Sequence, residues 1–358
     1  MRDCPHGGHS HCVTNTQTLR ALDDIALATS HRSLTSQVRF EVQMPGLQWS
    51  FLDDGAPEQY FVASITKLAT TAIVFQHIDE GHYALTTPAQ DLLEGSVTEG
   101  VPGFATSSPP VTVADLLGHT SGIPDYFETA PRGTDTMLAR IRREDVGWTP
   151  LEAIDSVRGR DAVATPGDTS KAHYSDTNFQ LLQLIIEGID GPYATAVQQR
   201  ICSPLGLTQT FVFGTEHLER FDDIAAITDG KSAFARPLAM ASFQADGGMV
   251  STTVEQIRFL RAYMGGQLFS QGLLERATTN WRRMFFPLEY SLGTMRFRLP
   301  RAMSPFSPMP PFIGHSGASG AVLFHDPSRD LTIAGSVNQL RKRSMAFQVL
   351  GKIERALR

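Results

Sequence analysis

Ser64 and Lys67, three residues apart in Ser64-Ile65-Thr66-Lys67, have the residue types and spacing for chemistry. Residues three apart on a helix share a face, with Cβ atoms about 5–6 Å apart. A serine hydroxyl is a weak nucleophile until a neighbouring base takes its proton. A lysine stripped of water can lose its charge and serve as that base, or it can hold a second base in place. A helix starting at Ser64 would also aim a backbone N–H, and the positive end of its dipole, at an oxyanion formed there. No other Ser-x-x-Lys occurs in the 358 residues. The chemistry implied is nucleophilic attack on an ester or amide, with a covalent acyl-enzyme. Plainer roles are open to both residues, Ser64 as a helix N-cap and Lys67 as a snorkelling surface side chain.

Further segments bear on the choice. They are Leu116-Leu117-Gly118-His119-Thr120-Ser121-Gly122-Ile123-Pro124-Asp125-Tyr126, Pro166-Gly167, and Tyr174-Ser175-Asp176-Thr177-Asn178-Phe179. Pro204-Leu205-Gly206-Leu207, Gly247-Gly248-Met249-Val250-Ser251-Thr252 and Gly314-His315-Ser316-Gly317-Ala318-Ser319-Gly320 follow in that order. Together with Ser64 and Lys67 they resemble the class C β-lactamases, the related D-Ala-D-Ala carboxypeptidases and the esterases that share their fold. The resemblance implies an antiparallel sheet flanked by helices and a serine hydrolase needing no cofactor. It places Tyr174 beside Ser64 and Lys67. A tyrosinate there, stabilised by Lys67, could accept the Ser64 proton and pass it to the leaving group. His315, Ser316 and Gly317 match the strand motif beside the nucleophile, and the N–H of Ala318 would complete an oxyanion hole with that of Ser64.

Two departures shift the expected substrate. Asp176 stands where the family usually has Asn, and it would pair with Lys67 and raise its pKa, which favours Tyr174 as the base. His315 stands where β-lactamases usually have Lys, leaving less positive charge for a substrate carboxylate. The expectation is an esterase or amidase with weak or absent β-lactamase activity. An acyltransferase, or a D-amino-acid amidase whose substrate ammonium meets Asp176, would use the same site. A catalytically silent penicillin-binding-like protein is the alternative of another class.

Other histidine-centred readings fit less well. Neither Gly118-His119-Thr120-Ser121-Gly122 nor Gly314-His315-Ser316-Gly317-Ala318 is the Gly-x-Ser-x-Gly elbow of a Ser-His-Asp hydrolase. His119 reads as a turn-stabilising residue. His6, His9, His11 and Cys12 lack the spacing of a closed zinc site and read as a polar tail, so no metal is expected. Among the bulky residues of 281–312, Met295 and Phe297 read as core strand. The stretch Met303 to Phe312 is expected to line an apolar substrate pocket.

The elements that must position these groups follow from periodicity. Helical spacing predicts helices over 16–30, over 64–80 with Gly81 at its end, and from about Lys342 onward. Strands are expected over 37–44 and 47–52, joined at Pro45-Gly46, and over 290–299, 320–325 and 331–337. Between 82 and 245 the pattern is helical and broken by Pro and Gly turns. The expectation is an α/β (α+β) protein with one sheet domain from 1–81 and 246–358, a mainly helical domain over 82–245, and the active site between them.

Composition bounds the partners. With 31 basic against 37 acidic side chains and no basic stripe, nucleic acid is not an expected partner. No apolar run reaches the length of a membrane span. Three cysteines, and no signal pattern in the first residues, point to a cytoplasmic protein. The expected partner is a small ester or amide with an apolar group, and the oligomeric state is left open.

Overall fold

The computed structural model describes residues 9–104, 109–299 and 308–358, leaving aside the side chains of residues 9–15. Its main sheet is built from β1 (Arg39–Met44), β2 (Leu47–Leu52), β3 (Arg282–Phe285), β4 (Leu288–Tyr290), β5 (Met295–Phe297), β6 (Phe312–Gly317), β7 (Ala321–Asp326) and β8 (Leu331–Ser336). The spatial order is β2-β1-β8-β7-β6-β5-β4-β3. Every neighbouring pair is antiparallel. The early hairpin turns at Gly46, which takes φ +77°. Its strand β1 then pairs with β8 in the register Val42↔Ile333, which joins two distant stretches of chain.

Successive strand residues point to opposite faces, and the central strands are apolar on both. Val322, Phe324, Leu331 and Ile333 enter one core, with Leu22 and Ala26 of helix α1 (His9–Ser30). Ala321, Leu323 and Ala334 enter the other, with Leu68, Ala72 and Phe75 of helix α2 (Thr66–Asp79). Helices therefore cover the sheet on both sides, and every residue of β7 and β8 is buried. The intervening chain carries helix α3 (Val113–Gly118), capped reciprocally by Thr112 and Asp115, and helix α4 (Thr177–Asp190). Helix α5 (Thr253–Met264) packs on β1, β7 and β8, and helix α6 (Ser344–Ala356) beside α1.

The architecture is that of the β-lactamase/transpeptidase-like fold, with several local differences from expectation. The predicted strand over 290–299 is two short strands, β4 and β5, because Gly293 (φ +66°) turns the chain and Ser291 N–H donates to the Thr294 carbonyl. Helix α1 begins at His9, ahead of the expected residue 16; the side chains of His6, His9, His11 and Cys12 lie outside the described residues. A small sheet of Tyr60–Phe61, Met249–Ser251 and Phe211–Val212 was not anticipated. Among the described residues, no helix is long and apolar enough to cross a membrane.

Candidate active site

The small sheet delivers the chain to Ser64. Val62 N–H donates to the Met249 carbonyl at 3.0 Å. Ala63 then takes φ +50°, a left-handed conformation that costs a residue with a Cβ about 1–3 kcal/mol and persists only where its surroundings impose it. Ser64 sits in a 3₁₀ turn over Ala63–Ile65, so α2 itself starts two residues later than the expected helix start. Thr66 clamps this turn: its hydroxyl donates to Ala63 O at 2.7 Å and accepts from Met249 N–H at 3.1 Å.

Lys67 lies one turn on and is wholly buried. Its ammonium forms an ion pair with Asp176 Oδ1 at 2.6 Å and donates to the Asp246 carbonyl at 2.5 Å and to Ser64 Oγ at 3.4 Å. Its Nζ also stands 5.2 Å from the ring centres of Tyr174 and of Phe179. Burial alone would lower the Lys67 pKa, but Asp176, and then Asp246, more than offset it and leave it above its ordinary value. Lys67 is therefore a cation that holds other groups, as Asp176 led us to expect.

Tyr174 lines the same cavity as Ser64. Burial pushes its phenol well above the ordinary range, Asp176 adds to the rise, and the Ser64 hydroxyl acts against it. His119 buttresses the tyrosine, with ring centres 4.3 Å apart. It caps α3 at φ +53°, and its Nδ1 accepts from the Ser175 N–H, which holds the loop that carries Tyr174.

Strand β6 closes the other side. Gly317 passes so near the nucleophile turn that a Cβ there would lie 2.3 Å from the Val62 carbonyl oxygen and 3.0 Å from the Ala63 Cβ. This brings Ser316, Gly317 and Ala318 to the same cavity as Ser64, Tyr174 and Asp176. His315 is placed differently. It is fully buried, and its Nδ1–H donates to the Ser316 carbonyl at 2.8 Å while its Nε2 accepts from the Tyr290 hydroxyl at 3.1 Å. Burial, then Lys67, push its pKa down to about 3, so it is neutral and supplies no cation to a substrate.

Two carboxyl groups at the site were not singled out in advance. Asp125 Oδ1 accepts from the Asp176 N–H at 2.8 Å; burial and then Asp176 push its pKa up to about 7. Asp246 Oδ2 accepts from the Tyr126 hydroxyl at 2.9 Å and from Gln180 at 2.7 Å, and burial, then Asp176, hold it well above the carboxylate range. The sequence signal was positional: Asp125 lies inside the quoted 116–126 phrase, and Asp246 immediately precedes Gly247-Gly248.

The cavity over Ser64 measures about 410 Å³. Its apolar wall includes Phe127, Phe243, Met284, Leu288, Met295 and Phe347. Among the described residues the wall thus comes from strands β3 to β5, helix α6 and the helical region, with no contribution from residues 308–312. Met309 and Phe312 of that stretch are packed into the sheet core, and Met303 and Phe306 lie outside the described residues. Met295 belongs to both core and wall. A second groove of about 590 Å³, lined by Arg258, Arg261 and His325, contains none of these catalytic candidates. No cluster of three or more metal-ligating side chains occurs among the described residues.

A family profile described as Beta-lactamase matches residues 55–351. The chain is 25% identical over 271 residues to Protein Rv1367c of Mycobacterium tuberculosis, covering 70% of this chain and 66% of that one. It is 27% identical over 271 residues to Penicillin-binding protein 4 of Amycolatopsis lactamdurans, covering 72% and 65%. It thus spans about two thirds or less of the length of the curated relatives it matches. Among solved structures, D-stereospecific amidohydrolase from Streptomyces sp. superposes with TM-score 0.70 at 25% identity, covering 91% and 94% of the two chains. D-amino acid amidase from Ochrobactrum anthropi SV3 superposes at 0.77 with 19% identity, covering 95% and 98%. The chain belongs to the beta-lactamase family and has the β-lactamase/transpeptidase-like fold.

Proposed function

We propose that this protein hydrolyses esters or amides bearing an apolar group through an acyl-enzyme on Ser64, with weak or no turnover of β-lactams. The observation that carries this reading is the Ser64 hydroxyl, hydrogen-bonded by Lys67 and sharing a largely apolar cavity with Tyr174. In the first half-reaction Tyr174, ionised and held by the Lys67 cation, takes the Ser64 proton as Oγ bonds to the carbonyl carbon. The N–H groups of Ser64 and Ala318 are assigned to the oxyanion. As the carbon–heteroatom bond breaks, Tyr174 returns its proton to the leaving group. A water then repeats the sequence, and Ser64 leaves with that proton. An acceptor other than water would make the same site an acyltransferase.

The described lining offers an anionic substrate no free counter-charge. Asp125, Glu128, Asp176 and Asp246 all border the cavity, while its basic residue Arg343 is tied to Glu128 at 2.7 Å. A β-lactam carboxylate therefore finds no free cation among the described lining residues. The same acids favour a second reading, hydrolysis of D-amino-acid amides, in which a free substrate ammonium meets Asp176. In this proposal the sheet region (1–81 with 246–358) supplies Ser64, Lys67 and the β6 edge, and the helical region (82–245) supplies Tyr174 and Asp176. The sparse cysteines accompany a cytoplasmic location.

The test is hydrolysis of p-nitrophenyl esters of graded acyl length by wild type and Ser64→Ala, with mass spectrometry of the acylated protein. A burst, an adduct on wild type and loss of both in Ser64→Ala are expected. No adduct and no turnover with any acyl length would leave a silent binding protein as the answer. Faster cleavage of D-phenylalanine amide than of its N-acetyl form would favour the second reading.

A further inference from the structure

Strand β3 is the outer edge of the eight-stranded sheet, and of its backbone the Arg283 carbonyl accepts from the Ala172 N–H at 2.8 Å. Segment 281–298, which forms β3 to β5, holds four arginines (282, 283, 296 and 298) against one acid, Glu289. That is a local charge of +3 in a chain whose net charge is −6. Glu289 is already committed, pairing with Arg296 at 2.6 Å, and the Arg296 guanidinium lies 4.6 Å over the Trp281 ring. Arg283 and Arg298 are exposed and make no ion pair among the described residues.

Next to these charges stand Phe285 and Phe286, 61% and 68% exposed, the most exposed large hydrophobic residues described. Burial alternates along β3, so Arg283 and Phe285 face water on either side of buried Met284. The Arg298 N–H donates to the Pro287 carbonyl, which keeps that arginine beside the phenylalanine pair. Phe285, Phe286 and Pro287 are also the rim of the catalytic cavity, whose wall continues inward through Met284 and Leu288. Two bare aromatic rings in water gain nothing, whereas rings set among unpaired arginines match a layer that is anionic outside and apolar beneath.

We infer that this edge docks onto a lipid surface bearing anionic phospholipid, with Phe285 and Phe286 entering the acyl layer and Arg283 and Arg298 meeting phosphates. The protein then sits on the membrane without crossing it, and the mouth of the Ser64 cavity opens where apolar substrates are dissolved. A cytoplasmic membrane face has the required negative potential.

The experiment is co-sedimentation of the full chain with vesicles of phosphatidylcholine alone and of equimolar phosphatidylcholine and phosphatidylglycerol. Binding to the anionic vesicles only, weakened by salt, is expected. At about 1 kcal/mol per basic residue near such a surface, Arg283→Gln with Arg298→Gln should weaken it about thirtyfold. These arginines lie outside the cavity, so hydrolysis of a soluble short-chain ester by that variant should be unchanged. Phe285→Ser with Phe286→Ser should also abolish sedimentation. Equal binding to both vesicle types, no binding, or binding indifferent to the arginines would overturn the inference. So would a concentration-dependent dimer dispersed by the phenylalanine changes, which would make a second copy the occupant. Vesicle binding is read without substrate, so its failure is separate from any failure of the Ser64 reading.

Discussion

Replacing Asp176 by Asn removes a carboxylate 2.6 Å from a lysine that is wholly buried. At an effective dielectric of about 20, the bare attraction at that distance is about 6 kcal/mol. Deleting one partner of a buried pair costs about 3–5 kcal/mol in practice. Asn keeps an acceptor oxygen for Lys67, and its neutrality ends the repulsion that helps lift Asp125 and Asp246. The expected net loss is therefore about 2 kcal/mol, measured by urea denaturation. Catalysis should respond in a direction of its own. Asp176 raises the pKa of both Lys67 and Tyr174, so without it both fall. Whichever group limits proton removal, the rising limb of kcat/KM against pH should move to lower pH. Acylation by a β-lactam should rise as well, because one repelling charge has gone. A limb that stays in place or moves to higher pH would refute the assignment of Asp176 as the charge that sets this site.

Wild-type kcat/KM for a neutral ester should climb into the alkaline range, because the buried Tyr174 phenol lies well above its ordinary value; a plateau below about pH 7 would contradict a tyrosinate base. Gly317→Ala must displace β6 from the nucleophile turn, so kcat should fall about 10²–10³-fold while circular dichroism stays native. Asp125 has its folded pKa raised to about 7, so its contribution to stability is complete below the unfolded carboxylate range and is lost as pH rises through about 7. Thermal melts should therefore show a Tm that falls between about pH 4 and about pH 7 and levels off above that, by roughly 2–4 °C per kcal/mol lost. Phe243→Ala enlarges the apolar wall, and the preferred acyl chain in an ester series should lengthen.

The parts of this protein that were legible in its sequence are those governed by local spacing or by short ordered phrases. Helix α2 declared itself through Ile65, Leu68, Ala69, Ala72 and Ile73, and all five are buried. The β1–β2 hairpin declared itself at Pro45-Gly46. Asp176 beside Lys67 followed from the family resemblance of Tyr174-Ser175-Asp176, and the pair forms at 2.6 Å. His315 was harder to place. A strand residue faces one side or the other, and nothing in Gly314-His315-Ser316 says that the ring turns to Tyr290, which lies two strands away. The apolar wall was expected from 303–312 on composition; of its described residues Met309 and Phe312 are instead core, because burial pattern decides such questions and Phe312 pairs with Phe297 inside the sheet. Asp246 carried no periodic signal at all, because its role depends on chain segments 120 residues distant.

The pairing of β1 with β8 has a consequence for biosynthesis. Residue 44 leaves the ribosome 287 residues before residue 331, roughly 15–60 s earlier at ordinary elongation rates. For most of that interval the emerging chain carries Ser64 and Lys67 but lacks β6, and its first hairpin shows an open edge that only β8 will cover. Until β6 has emerged, Ser64 therefore lacks the strand that closes its cavity. An unfinished product is a hairpin with an unsatisfied edge, a target for chaperones rather than a stray hydrolase.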